Sequence, residues 1–231
     1  MKEEDRLFDR VTLAPPPKLY RGPQPGRDSR ELLSAMMCEM TSVGLVLDLG
    51  CGPRDQAEPI ESIGHRYVGV DYSNQAADIL AEAHCLPFAP QIFDCVFSYA
   101  VFEHLRAPFS AIEEVARVLK PNGLFIGAVS QGEPFHSSYF HHTAWGVAAL
   151  CQSANLKLLR LWSGPTTLTA LATMGRYPFL IKFLISVVDR IDRTFPWLAP
   201  RRRSWPLRER QLDVLYRAGS ICFVMQKPRA V

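Results

Sequence analysis

The chain has 231 residues, of which 48% are hydrophobic and 21% are charged. This composition is typical of a folded globular protein, so it excludes a disordered chain, a collagen and a coiled coil. The length predicts one domain with an elaboration, and the net charge of +3 is too small to indicate a nucleic-acid partner.

The cysteines and the first residues of the chain indicate the cellular compartment in which the protein is expected. The six cysteines include no C-x-x-C pair, and no histidine stands at the spacing of a zinc ligand, so we expect neither a disulfide framework nor a bound metal. The first residues, MKEEDRLFDR, are charged and lack the apolar core of a signal peptide. Both features indicate a cytoplasmic protein.

The predicted elements alternate between strands and helices. Residues 1–26 are rich in proline and predict an irregular N-terminal arm, after which the main domain, 27–231, begins with a helix that runs from Asp28 to Met40. Helical patterns separate several of the strands that follow, which is typical of a parallel sheet with helices on both faces. These strands are predicted at Leu45–Leu49, 67–70, 77–81, Phe93–Tyr99 and 124–129.

The second half of the chain departs from this alternation. Helices are predicted over 108–119 and from an N-cap at Thr143, and strands are predicted over 156–162 and Ser220–Gln226. The long segment between those two strands, about 164–218, does not fit the alternation. We therefore expect a helical insertion before the last strand.

Acidic residues and glycines follow the first two strands. Asp48, Gly50 and Gly52 stand at the carboxyl end of the first strand, where open parallel sheets bind ligands. The second strand ends in Asp71, 19 residues after Gly52, which is about the interval at which an acid meets a ribose. The pattern predicts a nucleotide-type site, but a nicotinamide-dependent oxidoreductase and a turn that binds no ligand fit it as well.

Five motifs in a fixed order resemble one enzyme family. They are VLDLGCGP, YVGVDYS, EAHCLPF, FDCVFSYAVFEHL and EEVARVLKPNGLF. Together they are similar to the class I S-adenosylmethionine-dependent methyltransferases, and within these to the small-molecule, type 11-like subgroup. The resemblance covers about residues 45–161 and implies a Rossmann-like α/β fold, with a seven-stranded, mostly parallel sheet whose last strand is antiparallel. EAHCLPF and FEHL have no role in a nicotinamide-dependent oxidoreductase. These two motifs therefore favour the methyltransferase, and the oxidoreductase remains as the alternative function.

The resemblance implies a role for each matching residue. The glycine loop would line the methionine part of S-adenosylmethionine, Asp71 would bind the ribose hydroxyls, and Tyr72 would pack near the adenine. Glu82 would accept from the adenine amine, residues 98–100 would approach the sulfonium, and His104 would lie near the reacting methyl. The residues expected to bind the cofactor are Asp48, Gly50, Cys51, Gly52, Asp71, Tyr72, Glu82, Ala83, His84, Ser98, Tyr99 and Ala100.

Three features depart from the family pattern. Arg54 stands where a third glycine is frequent, so the loop after Gly52 must turn differently. Glu82 is one methylene longer than the usual Asp. Only ten residues separate Asp71 from Glu82, so we expect the helix between these positions to be short or missing.

The acceptor side is expected just after the fifth strand, in EPFHSSYFHHT, where the acceptor pocket of the family tends to begin. A histidine there could take a proton near neutral pH, although each also fits a helix cap or a solvent-facing position. Glu133 and Tyr139 are equally well placed to contact an acceptor. The candidate catalytic residues are His104, His136, His141 and His142.

The insertion concentrates charge and apolar residues. Residues 174–218 contain ten Lys and Arg against four Asp and Glu, a net charge of +6, whereas the rest of the chain carries 16 against 19, a net charge of −3. Residues 179–193 predict a helix with one narrow polar stripe. The segment fits a lid over an apolar acceptor best. Ordinary packing or a homodimer contact, and peripheral contact with a membrane, remain open.

These patterns lead to one expected function. We expect methyl transfer from S-adenosylmethionine to a small apolar acceptor in small-molecule biosynthesis, with O-methylation ahead of N- or C-methylation because several candidate bases cluster on the acceptor side. A relative that binds the cofactor without catalysis is the remaining alternative.

Overall fold

One twisted sheet organises the chain in this computed structural model, which describes residues 7–22, 27–132, 137–174, 177–194 and 206–229. Its strand order is β3-β2-β1-β4-β5-β7-β6. The first five strands run parallel, and β7 is antiparallel to both of its neighbours, which confirms the expected fold class. The strands are β1 (Leu45–Leu49), β2 (Arg66–Asp71), β3 (Ile79–Leu80), β4 (Phe93–Tyr99), β5 (Leu119–Ser130), β6 (Lys157–Ser163) and β7 (Ser220–Gln226).

Helices cover both faces of this sheet. The α3 helix begins with Pro108. The first N–H groups of a helix have no acceptor within the helix, so a proline there costs no hydrogen bond. The α4 helix has the predicted N-cap, because the Thr143 hydroxyl accepts from the Gly146 amide at 3.1 Å. The helices are α1 (Arg27–Glu39), α2 (Ala57–Ser62), α3 (Pro108–Val118), α4 (Ala144–Ser153), α5 (Thr167–Met174), α6 (Phe179–Thr194) and α7 (Leu207–Tyr216), with a short 3-10 helix at Phe102–His104.

The two core layers follow from the alternation of side chains along each strand. Val46 points into the layer covered by α1 and α2, whereas Leu47, the next residue, points into the layer covered by α3, α4 and α7. Phe97 and Val96 of the central strand β4 divide in the same way. Burial on both faces explains why the strands are almost wholly apolar.

Several predicted boundaries differ from the structure. The third strand is limited to Ile79–Leu80, and the chain passes from β2 to β3 without a helix, as the short spacing predicted. The helix predicted over 108–119 ends one residue earlier because Leu119 already pairs with Phe93 of β4.

The described part of the N-terminal arm, residues 7–22, packs against the domain. Phe8 is fully buried, and its ring meets Trp145 edge-on at 5.4 Å between centroids. Thr12 pairs with Arg160 of β6. The irregular lead-in therefore contributes to the core.

The predicted insertion lies between β6 and β7 and comprises α5, α6 and α7. The α7 helix buries Leu212 and Leu215 in the core, and α6 packs against α5. Within the described residues, no helix is long and apolar enough to cross a membrane.

Candidate functional site

The chain turns sharply where β1 ends. Gly50 and Gly52 take φ values of 75° and 51°, the left-handed region that favours glycine. The amides of Gly50 and Cys51 both donate to the Val70 carbonyl, at 2.8 and 3.0 Å. A Cβ on Gly50 would lie 2.3 Å from the side chain of Val101. The loop is thus held close to β2 and leaves no room for a side chain at Gly50.

Asp48 lies buried beneath this loop, where the Tyr67 hydroxyl donates to its Oδ2 at 2.7 Å. Burial raises the pKa of Asp48 to about 7, although the bond from Tyr67 and the nearby Arg54 act in the opposite direction. The same burial raises the pKa of the neighbouring Cys51 thiol to about 11, so this thiol is protonated at neutral pH. Asp48 is suited to support the loop from below.

We expect replacement of Asp48 by Asn to change how stability depends on pH. The pKa of Asp48 is about 7 in the folded chain and close to 3.8 when unfolded, so the folded state binds the proton more tightly. This group therefore stabilises the fold most below pH 3.8, and that contribution falls as the pH rises to about 7.

The Asp48→Asn variant should accordingly gain stability relative to wild type between pH 5 and pH 8, by about 3 kcal/mol. Urea unfolding of both proteins at the two pH values measures the difference. A difference that does not change with pH would show that Asp48 is ionised in the fold throughout this range.

Asp71, at the end of β2, organises the other side of the loop. Its Oδ2 accepts from the Gly52 amide at 3.1 Å, and its Oδ1 accepts from the amides of Ser73 and Asn74, both at 2.9 Å. Partial burial raises the pKa of Asp71, but these backbone donors outweigh that effect and leave it below its ordinary value. Asp71 is thus an ionised acceptor at neutral pH.

Arg54 shows how the loop accommodates the missing third glycine. It takes a φ of 68°, so an arginine adopts the backbone conformation that a glycine would adopt freely. Its guanidinium pairs with Asp78 and lies over the Tyr67 ring at 5.1 Å from the centroid. Asp78 in turn accepts from the Gly69 amide at 2.8 Å. These contacts tie the loop to β2 and offset the backbone strain.

A cavity of about 970 Å³ opens beside the loop at the carboxyl ends of the parallel strands. Ligand sites in proteins commonly measure about 300–1,000 Å³. Most of the lining residues are small or apolar, with a few polar groups among them. They are Leu49, Gly50, Val70, Asp71, Tyr72, Ala81, Glu82, Ala83, His84, Ala100, Val101, His104, Leu105, Arg106, Ala107, Ser110 and Tyr139.

The 3-10 helix after β4 brings His104 to the cavity wall. The preceding residue, Glu103, is fully buried, and its Oε1 accepts from the Ser130 amide at 3.1 Å. The backbone carbonyl of Glu103 accepts from the amide of Tyr139 at 2.8 Å. Arg106 donates to the Tyr139 hydroxyl at 2.9 Å and lies over its ring. The segments after β4 and β5 therefore form one wall.

The other candidate bases that the structure describes, His141 and His142, do not line this wall. His142 is buried, and its Nε2 lies 3.2 Å from the Phe102 carbonyl, so the ring supports the 3-10 helix from behind. Burial lowers the pKa of His142, which favours the neutral ring. His141 is exposed and does not line the cavity, and His136 lies outside the described residues. His104 is thus the one candidate base that the described residues bring to the cavity.

Part of the chain matches a known protein family. Residues 47–127 match a family model described as a methyltransferase domain. This stretch, about a third of the chain, is therefore a methyltransferase domain, in agreement with the resemblance to the class I S-adenosylmethionine-dependent enzymes. The matched residues run from β1 to β5 and so include both glycines of the loop, Asp71 and His104.

Two proteins that match this chain over part of its length are named for different activities. A ubiquinone biosynthesis O-methyltransferase from Bartonella tribocorum is 27% identical over 187 residues, which are 74% of this chain and 70% of that protein. A mitochondrial arginine-hydroxylase from Danio rerio, NDUFAF5, is 31% identical over 104 residues. That match covers 40% of this chain, which spans only 32% of the relative's length.

The solved structure of 1,6-didemethyltoxoflavin-N1-methyltransferase from Burkholderia thailandensis has the same fold. It superposes with a TM-score of 0.56 at 12% identity, over 87% of this methyltransferase and 79% of that chain. At this identity the likeness establishes the fold alone.

The expected cofactor residues divide into two groups in this methyltransferase. One group lines the cavity and the other lies outside its wall. Tyr99, the last residue of β4, is exposed and does not line the cavity. Ser98 is buried and donates to the Leu49 carbonyl at 3.0 Å. Those that line the cavity are Gly50, Asp71, Tyr72, Glu82, Ala83, His84 and Ala100; those outside it are Asp48, Cys51, Gly52, Ser98 and Tyr99.

The residues present fit S-adenosylmethionine, the cofactor of this family. Asp71 offers an ionised acceptor for ribose hydroxyls, and the loop at Gly50 allows close approach. His84 Nε2 is buried without a hydrogen-bond partner among the described residues, while its Nδ1 lies 3.7 Å from Glu82. A buried polar atom without a partner at the wall of a cavity is available to hydrogen-bond a ligand that binds there.

Sequence reasoning missed Arg106 and Ser110, which complete the wall beyond His104. A signal was present, because both follow FEHL directly and lead into α3, whose first turn faces the cavity.

The lid predicted for residues 164–218 is not tested by the structure. Within the described residues of 164–218, none lines the cavity, and the lid stays a prediction.

Proposed function

We propose that this protein transfers a methyl group from S-adenosylmethionine to a small apolar acceptor, at an oxygen in preference to a nitrogen or carbon. The observation that carries the proposal is a single cavity whose wall includes both Asp71, suited to the cofactor, and His104, suited to the acceptor. Its volume of about 970 Å³ is at the upper end for small-molecule sites, so it can hold two ligands side by side.

Each residue at the cavity would have its own role in this reaction. Asp71 binds the ribose of the cofactor, and Gly50 keeps the loop clear of it. When bound, S-adenosylmethionine supplies a methyl group on a positively charged sulfur, which is already an activated leaving group. The protein therefore has to position the acceptor in line and exclude water. His104 would accept the proton of the acceptor hydroxyl on its imidazole ring, so that the oxygen can bond to the methyl group as the bond between methyl and sulfur breaks.

Two observations support the choice of acceptor. Apolar side chains such as Leu49, Val101 and Leu105 form much of the wall, so a charged acceptor would be poorly solvated there. The relative from Bartonella, which matches the chain beyond the family model, is named for O-methylation. The arginine-hydroxylase name belongs to a relative that this chain spans only in part, and it does not motivate a second proposal.

We expect replacement of His104 by Ala to lower kcat about 100-fold with an oxygen acceptor, because general-base catalysis is lost. Binding of S-adenosylhomocysteine, the demethylated product, should stay within about twofold of wild type, since Asp71 and the loop are untouched. Steady-state kinetics and titration calorimetry measure the two quantities.

The comparison variant is His141→Ala. His141 is exposed and lies outside the cavity wall, so its kcat should equal that of wild type. A fall in kcat for His141→Ala but not for His104→Ala would assign the base to the other histidine and contradict the proposed role of His104.

The proposal as a whole is tested by transfer of a tritiated methyl group from S-adenosylmethionine. The acceptor panel contains catechols, phenols, terpenoid alcohols and prenylated quinols, with matched amines and carboxylic acids. We expect label in an apolar hydroxyl compound. Label only in amines would overturn the preference for oxygen, and cofactor binding without transfer to any acceptor would favour the non-catalytic alternative.

A further inference from the structure

The α6 helix presents its apolar residues to solvent. Leu180, Leu184 and Val188 are 66%, 53% and 55% exposed, although a helix of a globular domain normally turns such residues towards the core. Among the α6 side chains that the structure describes, Lys182 and Ile185 are half-buried, and α6 packs against α5. The broad apolar side of the helix therefore faces away from the protein.

These exposed residues form one continuous stripe. Their spacings of three, four, seven and eight positions put them on one side of a helix, and 16 residues of α6 extend for about 24 Å. A contiguous exposed patch of this kind marks an interaction surface. The stripe, which we call the α6 face, consists of Leu180, Phe183, Leu184, Val187, Val188 and Ile191.

The charge of the sequence that contains α6 indicates the chemistry of its partner. The sequence of 174–218 carries a net charge of +6, whereas the remainder of the chain carries −3. Arg210, in the described part of this segment, is exposed. A helix with a strong apolar face next to a basic segment binds in the plane of a lipid surface, where the apolar side enters the headgroup boundary and the cations meet anionic lipids.

The same charge disfavours a second copy of the chain as the partner. A twofold contact brings the same surface of both subunits together, so a dimer through the α6 face would oppose two segments of charge +6. The 16-residue helix also contains Lys182, Asp189 and Arg190 and is too short to span a bilayer. Contact with the surface of a membrane satisfies both the apolar and the charged residues.

We propose that the α6 face binds the surface of an anionic lipid bilayer, with α6 lying in the plane of the membrane. This interaction is independent of the proposed methyl transfer, because it uses residues outside the cavity and needs neither cofactor nor acceptor.

The test is co-sedimentation of the full chain with vesicles of phosphatidylcholine alone or of phosphatidylcholine mixed with phosphatidylglycerol. We expect binding to the mixed vesicles that weakens as NaCl is raised, and little binding to phosphatidylcholine alone. The double variant Leu184→Gln/Val188→Gln should lower the partition coefficient roughly tenfold or more without changing the net charge.

The matched control is Leu19→Gln/Val43→Gln, which makes the same type of change at two exposed apolar residues outside the insertion. It should bind mixed vesicles as wild type does. Circular dichroism and titration with S-adenosylhomocysteine check that all variants are folded, so that loss of vesicle binding is separated from failure of the cofactor site.

Three results would overturn the proposal. The first is equal binding to both kinds of vesicle, and the second is equal loss of binding in the α6 variant and in the control. The third is a wild-type dimer in light scattering that Leu184→Gln/Val188→Gln converts to monomer, since a second copy would then cover the α6 face.

Discussion

The Asp71→Ala variant is expected to bind S-adenosylhomocysteine roughly 30-fold more weakly than wild type, a loss of about 2 kcal/mol. The variant loses the charged carboxylate that we propose accepts from the ribose hydroxyls. It also leaves the amides of Gly52 and Ser73 without the carboxylate that now fixes them, at 3.1 and 2.9 Å. Both effects act on the cofactor end of the cavity, and titration calorimetry measures their sum.

Asp94→Ala is the matched control for this variant. Asp94 is also a half-buried carboxylate that accepts from a backbone amide, that of Leu45 at 2.8 Å, and it pairs with Lys120. It stands at the amino end of β4 and does not line the cavity. We expect Asp94→Ala to lower stability without weakening binding of S-adenosylhomocysteine. Equal weakening in both variants would mean that Asp71 acts through stability alone.

The Gly50→Ala variant is expected to lose about 3 kcal/mol of folding free energy, together with cofactor binding. Its φ of 75° disfavours any Cβ, and this Cβ would lie 2.3 Å from the Val101 side chain. Gly50 and Val101 both line the cavity, so relief of the clash must move part of its wall. Urea unfolding and titration with S-adenosylhomocysteine measure the two losses.

Gly52→Ala separates the two causes. Gly52 has a φ of 51°, but no atom lies within 4 Å of a Cβ placed there, so we expect a loss of only about 1 kcal/mol. Adding Val101→Ala to Gly50→Ala removes the clashing methyl groups and should restore part of the stability. Equal losses in Gly50→Ala and Gly52→Ala would show that contact with Val101 does not matter.

Much of the sheet could be predicted because local patterns determine it. Apolar runs ending in Asp48 and Asp71 predict adjacent parallel strands, and the carboxyl ends of such strands meet at one edge. The structure places Asp71 and Gly50 at one cavity there, as that reasoning requires. The short spacing between Asp71 and Glu82 likewise predicted the absence of a helix.

The features that the sequence did not reveal depend on contacts between residues that are distant in sequence. The position of His142 behind the 3-10 helix depends on the Phe102 carbonyl, 40 residues earlier in the chain, which no local pattern reveals. The bond from Tyr67 of the neighbouring strand to Asp48, which holds this carboxyl outside the cavity wall, was likewise not visible in the sequence. The amphipathic pattern of α6 was readable, but which side faces solvent was not.

The measurement that tests the central claim most directly is titration calorimetry of the wild-type protein with S-adenosylhomocysteine. We expect binding at one site per chain, which Asp71→Ala weakens roughly 30-fold and Asp94→Ala leaves unchanged. Absence of any binding at millimolar ligand to folded wild-type protein would contradict the assignment of this cavity to the cofactor, and with it the proposed methyl transfer.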